Sequence, residues 1–163
     1  MRYASIRQMD ISNGEGIGVA LFVQGCHFHC FNCFNPNTWD FNGGKEFDLH
    51  EYDTLIKAVK QPFIQRVSFL GGEPLCPENR AYVTNISNMI TTLCPTKTQW
   101  LYTGYKWEEI KDLPIMDYLD VVVDGQYEDD KRDITLKWRG SSNQRVIDVQ
   151  ESLKQNKVVL WCD

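Results

Sequence analysis

Three short apolar runs of the chain stop at glycine: GVALFVQG at 18–25, QRVSFLGG at 65–72 and QWLYTG at 99–104. Each is rich in β-forming residues and reads as a strand ending in a tight turn. The segments between them repeat at helical spacing instead. DLHEYDTLIKAVK places Leu49, Tyr52, Leu55, Ile56 and Val59 on one face, with Asp48 as cap and Glu51 at capping-box distance. ENRAYVTNISNMITTLCP does the same with Tyr82, Ile86, Met89, Ile90 and Leu93, and stops before Pro95. KWEEIKDLP predicts a short helix, YLDVVVDG a fourth strand and KVVLWC a last strand. Such alternation indicates an α/β fold with a largely parallel sheet. A complete eight-unit barrel takes roughly 200–250 residues, and 163 residues cannot supply one. The expectation is a partial (β/α) barrel or an open sheet, in one domain over residues 1–163. Ligands bind at the carboxyl ends of parallel strands, so the three glycine turns should line one mouth.

The rest of the chain narrows the functional class. No apolar run approaches the roughly 18 residues needed to span a bilayer, and the first residues carry no export signal, so the setting is read as cytoplasmic. A net charge of −5 with scattered basic residues argues against a nucleic-acid partner. Of the six cysteines, three fall in GCHFHCFNC at 25–33. In a reducing compartment clustered thiols point to metal or catalysis rather than disulfides.

Cys26, Cys30 and Cys33 are spaced so that three sulfurs can meet one small object. A zinc knuckle completed by His27, His29 or a distant cysteine is one reading, since structural zinc is four-coordinate. A [4Fe–4S] cluster is the other; it ordinarily takes four cysteines, so three would leave one iron open.

The C-x3-C-x2-C spacing after one strand, with GGEP after the next, resembles the radical S-adenosylmethionine superfamily. The resemblance implies a [4Fe–4S] cluster on Cys26, Cys30 and Cys33, one per chain, with the open iron chelated by the amino and carboxylate groups of S-adenosylmethionine. An electron entering the sulfonium breaks a carbon–sulfur bond and releases methionine and a 5′-deoxyadenosyl radical, which abstracts a hydrogen atom. Asn32, Cys33 and Phe34 match the stretch expected beside the cofactor. Gly71, Gly72 and Glu73 match the turn on which its amino group docks.

A narrower resemblance covers nearly the whole chain. NGEGIGVALFVQGCHFHCFNCFNPNTWDFNGG, LGGEPLCPEN, WLYTGY, DVVVDGQY and LKWRGSSNQRVID, in this order, are similar to the activating proteins of anaerobic (class III) ribonucleoside-triphosphate reductase. This implies an oxidoreductase that generates a glycyl radical on the large subunit of that reductase, fed by reduced flavodoxin or a similar carrier. Residues 137–163 would be a family-specific C-terminal extension. Oligomeric state stays open, a homodimer included. Gly18 stands where the family pattern often has arginine, and Asn32 where glycine is frequent. Two other small radical enzymes remain as alternatives, a pyruvate formate-lyase activase and a carboxy-deazaguanine synthase, as does a non-catalytic zinc module. His27 and His29 read as loop side chains near the cluster. Phe31 reads equally as a cluster shield or as core. Cys76, Cys94 and Cys162 read as structural, Glu128–Asp130 as a solvated turn. Tyr102, Thr103, Gly104, Asp124 and Gly125 are strand-end residues at the mouth. Arg139, Ser141, Asn143 and Gln144 would bind the reductase, the cofactor or one another.

Overall fold

A computed structural model describes residues 1–163. In chain order the regular elements are β1 (Arg2–Asp10), β2 (Gly18–Val23), β3 (Lys45–Glu46), α1 (Leu49–Val59), β4 (Arg66–Gly71), α2 (Arg80–Leu93), β5 (Thr98–Tyr102), α3 (Trp107–Ile110), β6 (Val121–Asp124), β7 (Arg145–Asp148) and α4 (Val149–Gln155). The strands form one open sheet in the order β3-β1-β2-β4-β5-β6-β7. Pairing is parallel from β2 through β4 and β5 to β6, and antiparallel at both margins. The expected largely parallel sheet is therefore mixed, because β1 and β7 add antiparallel edges that the apolar pattern did not announce. No helix is long and apolar enough to cross a membrane.

The central strands are valine- and leucine-rich because they are covered on both faces; every residue of β2 and of β6 is buried. One face carries the helices. There Val19, Leu21, Val23, Val67, Phe69, Leu101 and Val122 pack against Leu55, Val59, Val83, Ile86 and Ile90, each buried side chain contributing about 1.5–3 kcal/mol. The alternate residues point to the opposite, helix-free face. Ala20, Phe22 and Leu70 lie there, followed across the sheet by Trp100, Val121 and Val123.

The helix faces sit slightly rotated from those the spacing suggested. Leu49 is 86% exposed, and Tyr82, Met89 and Leu93 are also exposed, while Val83 and Ser87 turn inward. Asp48 caps α1 by accepting from the backbone of His50 and Glu51. The Glu51 carboxylate takes the Tyr3 hydroxyl at 2.7 Å, tying α1 to β1. KVVLWC is not a regular strand. It makes a single bridge, Leu160 to Ile147, and the Trp161 N–H donates to the Val146 carbonyl; the place beside β6 is taken by β7.

β1 escaped the sequence reading because its apolar content is slight and its register shifts twice against β2. It ends at Asp10, which is buried and paired with the equally buried Arg66 at 3.0 Å. The guanidinium also donates to the backbone carbonyls of Asp10, Asn13 and Glu15 and to the Ser68 hydroxyl, so the loop 11–17 is drawn down over the helix-free face. Gly18 is needed beneath it, because a Cβ there would fall on the Arg66 guanidinium.

Candidate functional site

At the carboxyl ends of β2, β4, β5 and β6 the helix-free face opens into a cleft of about 670 Å³. Cys26, Cys30, Cys33, Phe34, Gly71, Gly72 and Glu73 all line it. The strand ends Tyr102, Thr103, Gly104 and Gly125 do too, so the glycine turns share one mouth.

The cysteine loop is placed by backbone pairing before any cofactor enters. Gly25 N–H donates to the Thr38 carbonyl and Cys26 N–H to that of Trp39, while the buried Gln24 amide holds the carbonyls of Asn37 and Asp40. Two non-glycine residues in the loop, His29 and Asn32, have positive φ (49° and 54°). Asparagine tolerates that region better than most residues, which explains why it stands at a position where glycine is frequent. Its side chain leaves the cleft and donates to Asp129 at 3.0 Å, so Asn32 is not part of the lining. Asp129 also accepts from the Tyr127 hydroxyl, which gives the acidic turn an anchoring role beyond solvation. The Phe34 ring packs on Tyr127 with the Arg132 guanidinium over it.

All six cysteines are free. Burial pushes the Cys26 and Cys30 thiols above their usual range, while the N–H groups of Phe28 and His29 pull Cys26 down. Asn35 N–H donates to Cys33 Sγ at 3.3 Å. The two donors at Cys26 oppose burial in the direction of the thiolate that a metal requires. No three His, Cys, Asp or Glu side chains converge tightly enough to hold a single metal ion. His27 instead bonds Glu78 at 2.8 Å, and His29 stacks flat on Trp39 with centroids 4.4 Å apart, so neither completes a zinc knuckle. The three thiols line one cleft without converging on a single point, which suits a multi-iron cluster better than one ion. Phe31 is 77% exposed and does not fill the core.

The second loop is locked to the first. Gly72 N–H donates to the Val23 carbonyl and Glu73 N–H to that of Gly25. A Cβ at Gly72 would strike the Gly25 carbonyl, so only glycine permits this approach. The Gly72 carbonyl accepts nothing within the protein. Glu73 is buried and its carboxylate is fully engaged, accepting from Leu75 N–H, the Thr103 hydroxyl and Gly104 N–H, each at 2.8 Å. Burial raises its pKa to about 7 against the pull of those donors. It is a strut joining β4 to β5.

The sequence reading passed over the N-terminal wall, Arg7, Ser12 and Asn13, and Arg132 on the far side. Only the glycine- and asparagine-containing turn ISNGEG hinted at a loop there. WRGSSNQ also borders the cleft and is largely self-bonded: Gln144 Oε1 accepts from Gly140 N–H and Ser141 N–H, and Arg139 donates to the Gln144 carbonyl. Cys76 and Cys94 are buried as expected of small apolar residues, and Cys162 is partly covered.

Residues 12–147 match the family model of a 4Fe-4S single cluster domain. The chain is 40% identical over 146 residues to the anaerobic ribonucleoside-triphosphate reductase-activating protein of Enterobacteria phage T4, covering 90% of this chain and 93% of that one. The proteins of the same name from Salmonella typhimurium and Escherichia coli K12 are 39% and 38% identical over 150 residues, covering 90% of this chain and 97% of theirs. The chain belongs to this family of activating proteins. The match spans 93–97% of the length of those relatives.

Proposed function

We propose that the chain is a radical S-adenosylmethionine enzyme that places a glycyl radical on anaerobic ribonucleoside-triphosphate reductase. The observation that carries this reading is the junction of the two loops, where Gly72 and Glu73 bond to Val23 and Gly25 beside three free thiols. Cys26, Cys30 and Cys33 would hold the cluster, and three ligands leave one iron for the amino and carboxylate groups of S-adenosylmethionine. When bound, cluster and cofactor supply one-electron cleavage of the sulfonium and a 5′-deoxyadenosyl radical; the chain supplies binding, orientation and shelter from water.

Gly72 would offer its free carbonyl to an N–H of the cofactor's iron-bound amino group and has no side chain in the way. Glu73 keeps the turn rigid by bridging to Thr103 and Gly104. Phe34, held by Tyr127, bounds the cleft beside Cys33, and Asn32 steadies the loop through Asp129. The sheet is open rather than closed, and through that open side a loop of a protein substrate would reach the cleft. A reduced flavodoxin or similar carrier, in the cytoplasm, belongs to the same reading.

Anaerobically reconstituted protein should carry about four irons per chain. With reductant, S-adenosylmethionine and the cognate reductase it should produce the glycyl-radical doublet in an EPR spectrum. Deoxyadenosine release without that doublet would reassign the substrate, and one zinc with no iron would remove the chemistry altogether.

A further inference from the structure

Two side chains on the N-terminal wall of the cleft carry hydrogen-bonding groups that the protein itself leaves unused. Both are anchored at one buried atom, Asp10 Oδ1. The Asn13 Nδ2 amide donates to it at 2.8 Å, while Arg7 Nη1 comes no nearer than 3.8 Å, beyond hydrogen-bond length. Asp10 is ion-paired with the buried Arg66, and a carboxylate only accepts. The Asn13 N–H2 must therefore face it, and the amide oxygen Oδ1 turns the other way. That oxygen accepts from nothing in the protein and is not sealed from solvent. The Asn13 backbone fixes the pose: its N–H donates to Asp10 Oδ2, and its carbonyl accepts from Arg66 and the Ser68 hydroxyl. The Arg7 guanidinium lies over the Phe22 ring, 4.5 Å from the centroid, with its side chain 55% exposed. Phe22 lines the cleft together with Arg7 and Asn13. It also borders the glycine turn, since a Cβ on Gly71 would fall 2.8 Å from the Phe22 Cα.

We propose that Arg7 and Asn13 form a two-point subsite for the main chain of the target polypeptide, Arg7 donating to a backbone C=O and Asn13 Oδ1 accepting from a backbone N–H. The proposal rests on the activase reading above. A free donor and a free acceptor on one wall call for a ligand that carries both, and an extended polypeptide does so along its edge. A carboxylate offers nothing to Asn13 Oδ1, and an ammonium nothing to Arg7. Glycine has no side chain to grip, so recognition next to it falls on the backbone. The adenine of S-adenosylmethionine also bears a donor and acceptors, and the test separates the two sources.

Cluster-loaded wild type, Arg7→Met and Asn13→Ala are compared for the Kd of the cognate reductase, at low and at high salt, and for the Kd of S-adenosylmethionine. Arg7 bonds to nothing in the free protein, and methionine keeps an apolar stem over Phe22, so Arg7→Met should unfold at the wild-type temperature. It should raise the reductase Kd about tenfold, the loss of one charge-assisted hydrogen bond, by the same factor at both salt concentrations. Asn13→Ala should raise it about three- to tenfold and also unfold at a lower temperature, because Asp10 loses a donor. The S-adenosylmethionine Kd should stay unmoved in both. An Arg7→Met effect that vanishes at high salt assigns Arg7 to an acidic side chain of the reductase, and a rise confined to S-adenosylmethionine assigns the wall to the cofactor. Either result overturns the proposal, as do an unchanged reductase Kd and a response from only one variant. Wild type that forms no glycyl radical on the reductase sinks the activase reading instead.

Discussion

Glutamate 73 offers a measurable consequence of its burial. Its carboxylate accepts three hydrogen bonds, yet removal from water dominates and lifts its pKa from the ordinary 4.5 to about 7. That difference corresponds to roughly 3 kcal/mol against the ionised form. A raised carboxyl pKa means the folded state binds more protons than the unfolded state between those two values. Stability from this group is therefore complete below pH 4.5, falls as pH rises, and is gone above about pH 7.5. Glu73→Gln cannot titrate and lacks the slope. It does set an amide N–H2 against the Gly104 or Leu75 N–H, which lowers stability by about 1–3 kcal/mol at every pH. Urea unfolding of metal-free, thiol-reduced protein at several pH values between 4.5 and 8 isolates the slope. Wild-type stability minus variant stability should fall by about 3 kcal/mol across that interval. A difference flat in pH would show that the three donors offset burial in full, and the account of Glu73 as a desolvated strut would be wrong.

Cys30→Ala should lose the iron chromophore and S-adenosylmethionine cleavage, whereas Cys94→Ala, at the C-terminal cap of α2 and outside the cleft lining, should retain both; iron analysis and deoxyadenosine assay decide. Gly72→Ala drives a methyl into the Gly25 carbonyl, so unfolding free energy should drop by about 1–3 kcal/mol and S-adenosylmethionine binding should weaken by calorimetry. Arg66→Met strands the buried Asp10 carboxylate and should cost about 3–5 kcal/mol in urea unfolding, much of it recovered in the Asp10→Asn, Arg66→Met double variant.

The central strands were legible because burial on both faces forces continuous apolar runs such as GVALFV and VVVD. The margins were not. β1 has one face toward solvent and few apolar residues to betray it, and β7 is only four residues long. The first three helices were read in place, with the faces of α1 and α2 off by part of a turn, while α4, only seven residues long, was not foreseen. Periodicity marks an apolar stripe but not which edge of it meets the sheet, so Leu49 in α1 and Tyr82 in α2 were credited with burial that Ala58 and Val83 hold. In the site, the cysteine spacing and GGEP stood out as local patterns. The Asp10–Arg66 pair and the Asn32–Asp129 bond join residues tens of positions apart, and no local pattern records such meetings.

Chain order alone settled the α/β class, the impossibility of a full barrel and the grouping of three thiols on one loop, because each follows from length, spacing and side-chain type over a few residues. Only the folded sheet decided that Gly72 meets Gly25 and that Glu73 spends its carboxylate inside the protein. Those outcomes depend on which strands become neighbours, and strand neighbours are chosen by the burial of the whole core rather than by any one segment.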